Sequence, residues 1–270
     1  MDIRSHIPDR MTLAFTLAGG VLVAYTVAAL LVIAIPELAS LSHLLAVAAE
    51  PGVAESLLLT FAAGFLAVGI LVLLGTPLAY LLARSTFRGR WLVESLIDIP
   101  LVLPHTVAGL MVYLLFMARG PIGEPLAAAG IFFEDAFPGI VAAMAFVAAP
   151  YYIGAVREGF ARVPVTLEHV ARTLGATRFR AFLAVALPLA RGHLVSGALM
   201  AWGRAVGEFA AVVMIAYFPM VISTLIYQRF STGGLAESRS VAFIMVAVSF
   251  LLFLIVRWVA GNRGRRHDHP

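Results

Sequence analysis

Six stretches of the chain carry almost unbroken apolar positions, each close to the ~20 residues that a helix needs to cross a bilayer. The first runs from Met11 to Ile35 without a charge. A secretory signal would hold only ~7–15 apolar residues, so this pattern predicts a retained membrane helix. The second covers about 57–83 and contains Pro77; the third covers about 97–118 and opens with Asp98, Pro100 and Pro104. The fourth spans about 139–156. The fifth, about 194–218, is interrupted by Arg204 and Glu208, and the sixth, about 241–258, continues past Arg257 to Trp258. The pattern predicts an all-α polytopic membrane protein with six transmembrane helices, read as one domain over residues 1–270. No internal repeat or low-complexity segment is visible, which counts against a secondary transporter built from inverted repeats.

Between the fourth and fifth spans, about 157–192, the period changes. Leu167, Val170, Ala171 and Leu174 recur at helical spacing on one face, with Glu168, His169, Arg172 and Thr173 on the other. Pro164 suits the first turn of this helix and Gly175 its left-handed C-terminal cap. Thr177 is placed to cap a second short helix, on which Phe179, Phe182, Leu183 and Ala186 share a face. Pro188 marks the expected boundary with the fifth span. Two short amphipathic helices joined at a glycine fit either of two roles: docking into a groove on another protein, or lying on the lipid surface.

Composition sharpens the class. The chain is 61% hydrophobic and 13% charged, with a mean hydropathy of +0.97, which excludes a water-soluble globular enzyme. All 19 basic residues are arginine. Without lysine there is no Walker A phosphate loop, and without cysteine no disulfide or thiolate site. An inside N-terminus puts fifteen arginines on cytoplasmic segments and three (Arg119, Arg229 and Arg239) outside, with Arg204 within a span. That asymmetry follows the positive-inside rule. It predicts cytoplasmic N- and C-termini and a cytoplasmic 157–192 loop, and it accounts for the pI near 9.8 without nucleic acid.

Arg204 and Glu208 stand four apart, hence on one face of a helix. They border a translocation path or subunit interface, or they neutralise each other to permit burial. Pro100 and Pro104 are placed to disrupt the start of the third span and free backbone carbonyls, His105 adds a polar group nearby, and Asp98 would repel an anion. Gly197, Gly203 and Gly207 offer close helix packing. No metal cluster and no catalytic set can be placed, and His267, Asp268 and His269 read as an uninvolved tail.

The 157–192 loop resembles the EAA loop of ABC-importer permeases, E-A-A-x3-G-x9-I-x-L-P. Anchored on Gly175, it keeps Ala171, Leu187 and Pro188, with Val185 in the isoleucine place. His169 stands where glutamate is usual and Val170 where the first alanine is, with Glu168 immediately before. IDIPLVLPHTVAG (97–109) and GRAVGEFAAVVMIAYFPM (203–220) are similar to molybdate/tungstate permeases, in versions that look like the archaeal branch. This resemblance implies cytoplasmic coupling helices, with Glu168, His169, Ala171, Arg172, Thr173, Leu174, Gly175 and Pro188 engaging an ATPase. It further implies a second permease copy in a homodimer, two ATP-binding subunits, an extracytoplasmic oxyanion-binding protein and residence in the cell membrane. ATP and magnesium then belong to the partner subunits, and this chain binds no cofactor and catalyses nothing. Pro104, His105, Arg204 and Glu208 are the pathway or interface candidates. A sulfate/thiosulfate permease shares the same general pattern; an ATP-independent anion channel or secondary transporter is the alternative of another class.

Overall fold

The computed structural model describes residues 10–264, and every regular element in them is helical. In chain order these are α1 (Arg10–Ala39), α2 (Leu41–Ala48), α3 (Pro51–Ile70) and α4 (Thr76–Arg84), the last two joined through a wide π turn at Leu71–Gly75. Then come α5 (Arg90–Val102), α6 (His105–Phe116), α7 (Gly123–Ala128), α8 (Phe137–Arg162), α9 (Val165–Thr173) and α10 (Arg178–Ala181). A second wide turn, Phe182–Ala186, leads into α11 (Leu187–Val206), followed by α12 (Ala210–Ile215) and α13 (Ile222–Gly264). Five helical runs are long and apolar enough to cross a membrane, and six if α5 and α6 count as one bent span.

α8 is the axis of the bundle. Its 26 residues rise ~39 Å, enough to span the ~30 Å hydrocarbon layer. α3, α4, α6, α11 and α12 all pack on it. Ile140, Met144, Val147, Tyr152 and Phe160 are buried along its length. Against α11 the approach is close: a Cβ at Gly197 would stand 3.1 Å from Ala155 Cβ. Within this chain Gly203 faces open space and Gly207 meets no other element, so the close approach to α8 is made at Gly197.

The first wide turn packs on the same axis. Tyr152 OH and Thr76 Oγ1 share a buried 2.7 Å hydrogen bond. Gly75 leaves room for the Tyr152 ring, which a Cβ would meet at 3.0 Å. Tyr152→Phe strands the Thr76 hydroxyl and is expected to lower stability by about 1 kcal/mol. Thermal denaturation in detergent measures it; an unchanged midpoint would show that the hydroxyl pair contributes nothing.

Several span boundaries differ from the sequence expectation, each for a physical reason. The second span starts at Pro51, at the first helical position where a missing N–H costs nothing. The third is two helices meeting at 119° around Leu103–Pro104, while Pro100 stays buried inside α5 without breaking it. The fifth ends at Val206, so Glu208 lies beyond the helix that carries Arg204. Pro188 is no boundary: the helical run continues from Arg178 to Val206, because the wide turn ahead of Pro188 accommodates its missing donor. The sixth is preceded by further helix from Ile222, and a kink at Gly234, whose φ of +74° suits glycine, divides that segment from the helix carrying the predicted stretch.

α1 stands apart, with most of its apolar side chains exposed and its main contacts to α2 and α13. Buried Glu37 anchors its end, accepting from Arg239 Nε at 2.5 Å and Ser240 Oγ at 2.7 Å. His267, Asp268 and His269 lie outside the described residues.

Candidate functional site

Two constellations stand out, one at each end of the α11 run. The first surrounds α9. Val163 ends α8 in extended geometry and Pro164 starts the next helix, turning the chain sharply. Gly175 ends α9 at φ +92°, the left-handed conformation that glycine adopts without a Cβ penalty. Gly175 N–H donates to Arg172 O and Ala176 N–H to Ala171 O, satisfying carbonyls at the helix end. The Thr177 side chain accepts from Arg180 N–H at 3.2 Å, capping α10 as its position predicts.

α9 turns Glu168 inward and leaves most of its other side chains, polar and apolar, exposed. Glu168 is buried, whereas Leu167, Val170 and Leu174 are exposed, Leu174 at 83%. One Glu168 oxygen accepts from Arg84 Nε at 2.8 Å and lies 2.7 Å from Arg84 Nη2. The other accepts from Tyr80 OH at 2.5 Å. Arg84 Nη2 also donates to Val163 O at 2.9 Å, so one guanidinium ties the end of α4 to α9 and to the turn before it. Phe160 and Phe182 pack edge-on around the Tyr80 ring.

Beside this clamp opens a 560 Å³ cavity whose lining includes His169, Arg172, Arg178 and Phe179. Ala171 is half-buried, Thr173 Oγ1 donates to Val170 O, and Pro188 is exposed at the start of α11. The expected coupling residues are thus brought together, except Pro188, which sits along the α11 run.

Tyr80 and Arg84 were not among the expected site residues. The available signal was their i, i+4 spacing at the end of an apolar run, on one helical face. A charge at such an end reads equally as a topology marker.

The second constellation joins α6, α11 and the break before α12. Arg204 Nη2 donates to a Glu208 oxygen and stands 3.0 and 3.1 Å from the two ring nitrogens of His105. The other Glu208 oxygen accepts from Ala211 N–H at 2.7 Å, capping α12. Pro104 holds the bend that starts α6 at His105. His105, Arg204 and Glu208 therefore meet, with Pro104 next to His105 in the chain, although Arg204 and Glu208 do so across a helix end. Exposed Asp98 takes no part. Among the described residues, no group of three His, Asp or Glu side chains is gathered as a metal would require.

Comparison with known proteins gives a consistent picture. Residues 75–267 match the family described as binding-protein-dependent transport system inner membrane component. The chain is 40% identical over 252 residues to the molybdate/tungstate transport system permease protein of Thermococcus kodakarensis, covering 92% of this chain and 96% of that one. It is 38% identical to the Pyrococcus furiosus protein of the same description, covering 95% and 98%. The sulfate transport system permease protein of Escherichia coli is 33% identical, covering 80% of each chain. Among solved structures, a bacterial ABC transporter importing the acidic polysaccharide alginate aligns with a TM-score of 0.63 at 15% identity, covering 95% of this chain and 98% of that one. A methionine ABC transporter in an inward-facing conformation aligns with a TM-score of 0.59 at 19% identity, covering 81% and 95%. These two likenesses concern the fold.

Proposed function

This chain belongs to the inner membrane components of binding-protein-dependent transport systems, and from that premise we propose that it is the permease that carries molybdate and tungstate into the cytoplasm, driven by ATP hydrolysed on separate subunits. The observation that carries the reading is the α9–Gly175–α10 hairpin. It is clamped to α4 through Glu168 while the apolar side chains of α9 stay uncovered. A rigid lever with an exposed apolar face suits insertion into a groove of a motor protein. The substrate class rests on the molybdate/tungstate permeases to which the chain is similar over most of its length.

In this reading the α9 end is cytoplasmic, which the arginine asymmetry supports. Residues 1–270 act as one permease domain, two copies pair, and two ATP-binding subunits dock on the two hairpins. A binding protein delivers the oxyanion at the opposite end. ATP, with its magnesium, is held and hydrolysed on the partners, and this chain contributes no catalytic group. ATP shifts the permease between outward- and inward-facing states through its differential affinity for them.

The test is reconstitution of the permease with its ATPase and binding protein in liposomes. Molybdate and tungstate are expected to stimulate hydrolysis and to enter the vesicles. Competition by sulfate at equal concentration would instead assign the chain to sulfate transport, the reading favoured by its similarity to the E. coli sulfate permease. The docking part has its own check. Leu174→Asp leaves the fold intact because the side chain is exposed, yet it is expected to cost at least ~2 kcal/mol of ATPase binding, as loss of an interface anchor does. Co-purification from detergent reads this directly, and undiminished recovery of the ATPase would remove Leu174 from the interface.

A further inference from the structure

The cluster of Arg204, His105 and Glu208 has no part in docking a motor, and its carboxylate is buried in the bundle. Ser223 Oγ donates to Glu208 O at 3.0 Å, and the adjacent Ile222 N–H donates to Thr60 Oγ1 at 2.8 Å. Thr60 is nine residues, or ~13 Å of helix, from Pro51 at the end of α3. Ionisable side chains at such a depth are costly unless paired or lining water.

The pairing here is lopsided. Glu208 is 2% exposed and cannot swing away, because Ala211 N–H holds its second oxygen. Arg204 is 18% exposed and His105 43%. Only Nη2 of Arg204 is engaged, and its Nε and Nη1 find no acceptor among the described residues. Gly203 and Gly207 beside it are exposed, and a Cβ at Gly203 would meet nothing within 4 Å. A pair kept only to permit burial would satisfy its cation as fully as its anion. In this cluster the anion is closed off and the cation is left open.

We propose that Arg204, with His105 beside it, is a transient contact for the tetrahedral oxyanion within the membrane, and that Glu208 is a fixed competing counter-ion that keeps the contact weak. This deepens the proposed function and rests on it. A doubly charged oxyanion needs a cationic donor wherever water is scarce, and a guanidinium supplies several N–H groups to such an ion. A permeating ion must also leave, so a site that holds it tightly would halt transport. The Glu208 carboxylate opposes tight binding by already occupying Nη2.

Three forms of the permease–ATPase complex decide the matter: wild type, Glu208→Gln, and the double variant Arg204→Gln with Glu208→Gln. Each is reconstituted with the binding protein and tested for uptake of molybdate, tungstate and sulfate. Oxyanion binding is measured separately by equilibrium dialysis without the binding protein. The E208Q amide keeps an acceptor for Ala211 N–H but removes the competing charge. It is expected to tighten oxyanion binding roughly tenfold and to slow uptake, since a hydrogen bond to a charged group commonly carries that factor or more. The double variant removes both charges. It is expected to lose that binding and to slow uptake roughly tenfold, while the ATPase subunits co-purify with it as they do with wild type.

A purely structural pair predicts the opposite: the double variant, with no charge left to bury, would carry oxyanion at the wild-type rate, and that result overturns the inference. Equal binding by wild type and E208Q would overturn it too. A wild-type complex that carries none of the three anions would defeat the proposed function, and this inference with it.

Discussion

Replacing Glu168 with alanine is expected to destabilise the chain by about 3 kcal/mol and to abolish coupled uptake, the largest functional effect at the α9 end. The magnitude follows from what is left behind. Arg84 and Glu168 are only 11% and 8% exposed, and deletion of one partner strands the other charge out of water. Tyr80 OH loses its acceptor as well. Thermal denaturation in detergent reads the stability, and ATP-driven oxyanion uptake reads the coupling. Arg84→Ala alone is expected to behave similarly. The double variant should lose less than the two singles summed, because the second deletion removes a charge already uncompensated. Strict additivity would show that the two side chains do not act as a unit.

The second large effect is at Gly109, where α6 crosses α12. A Cβ there would lie 2.5 Å from Ala211 O and 2.6 Å from Ala211 Cα, against backbone that cannot turn aside. Gly109→Val is expected to cost about 3 kcal/mol, at the upper end of overpacking penalties, since the helices must separate to admit it. Separation would also move His105, on α6, from Glu208, which caps α12. Yield of monodisperse protein and its melting midpoint measure the effect. Gly69→Ala is the control, since its Cβ meets nothing within 4 Å. Equal behaviour of the two variants would refute the close crossing.

Local signals in the sequence found most of the elements. Gly175 and Thr177 are found where positive φ and a hydroxyl cap are needed, and both perform those tasks in the structure. Pro104 sits at the bend it was expected to disturb. Pro51 is an equally good start signal, but Glu55 and Ser56 interrupt the apolar pattern between it and Leu57.

Tertiary facts were less accessible. Periodicity identified the apolar face of α9 correctly, but a periodic pattern does not say which face a protein turns toward itself. Glu168 lies inward because Arg84 and Tyr80, more than eighty residues earlier in the chain, neutralise and hydrogen-bond it. Arg204 and Glu208 were expected on one continuous helix by their spacing. They do meet, but Glu208 faces back from the break in order to cap α12. The early start of α13 was hidden by Arg229, Glu237 and Arg239. Arg229 and Arg239 are paired with Glu50 and Glu37 across the fold.

The wide turn at Leu71–Gly75 sets the azimuth of everything that follows it. A regular α-helix advances ~100° per residue, and a π turn inserts one residue beyond that phase. Tyr80 and Arg84 therefore point toward α9 only because the helix has been reset upstream. Closing that turn into regular α-helix with no residue removed would leave every polar group intact, yet aim the arginine about a quarter-turn away from its carboxylate. The lever's alignment is in this sense a counting property of the chain, stored some ten residues from the charges it brings together.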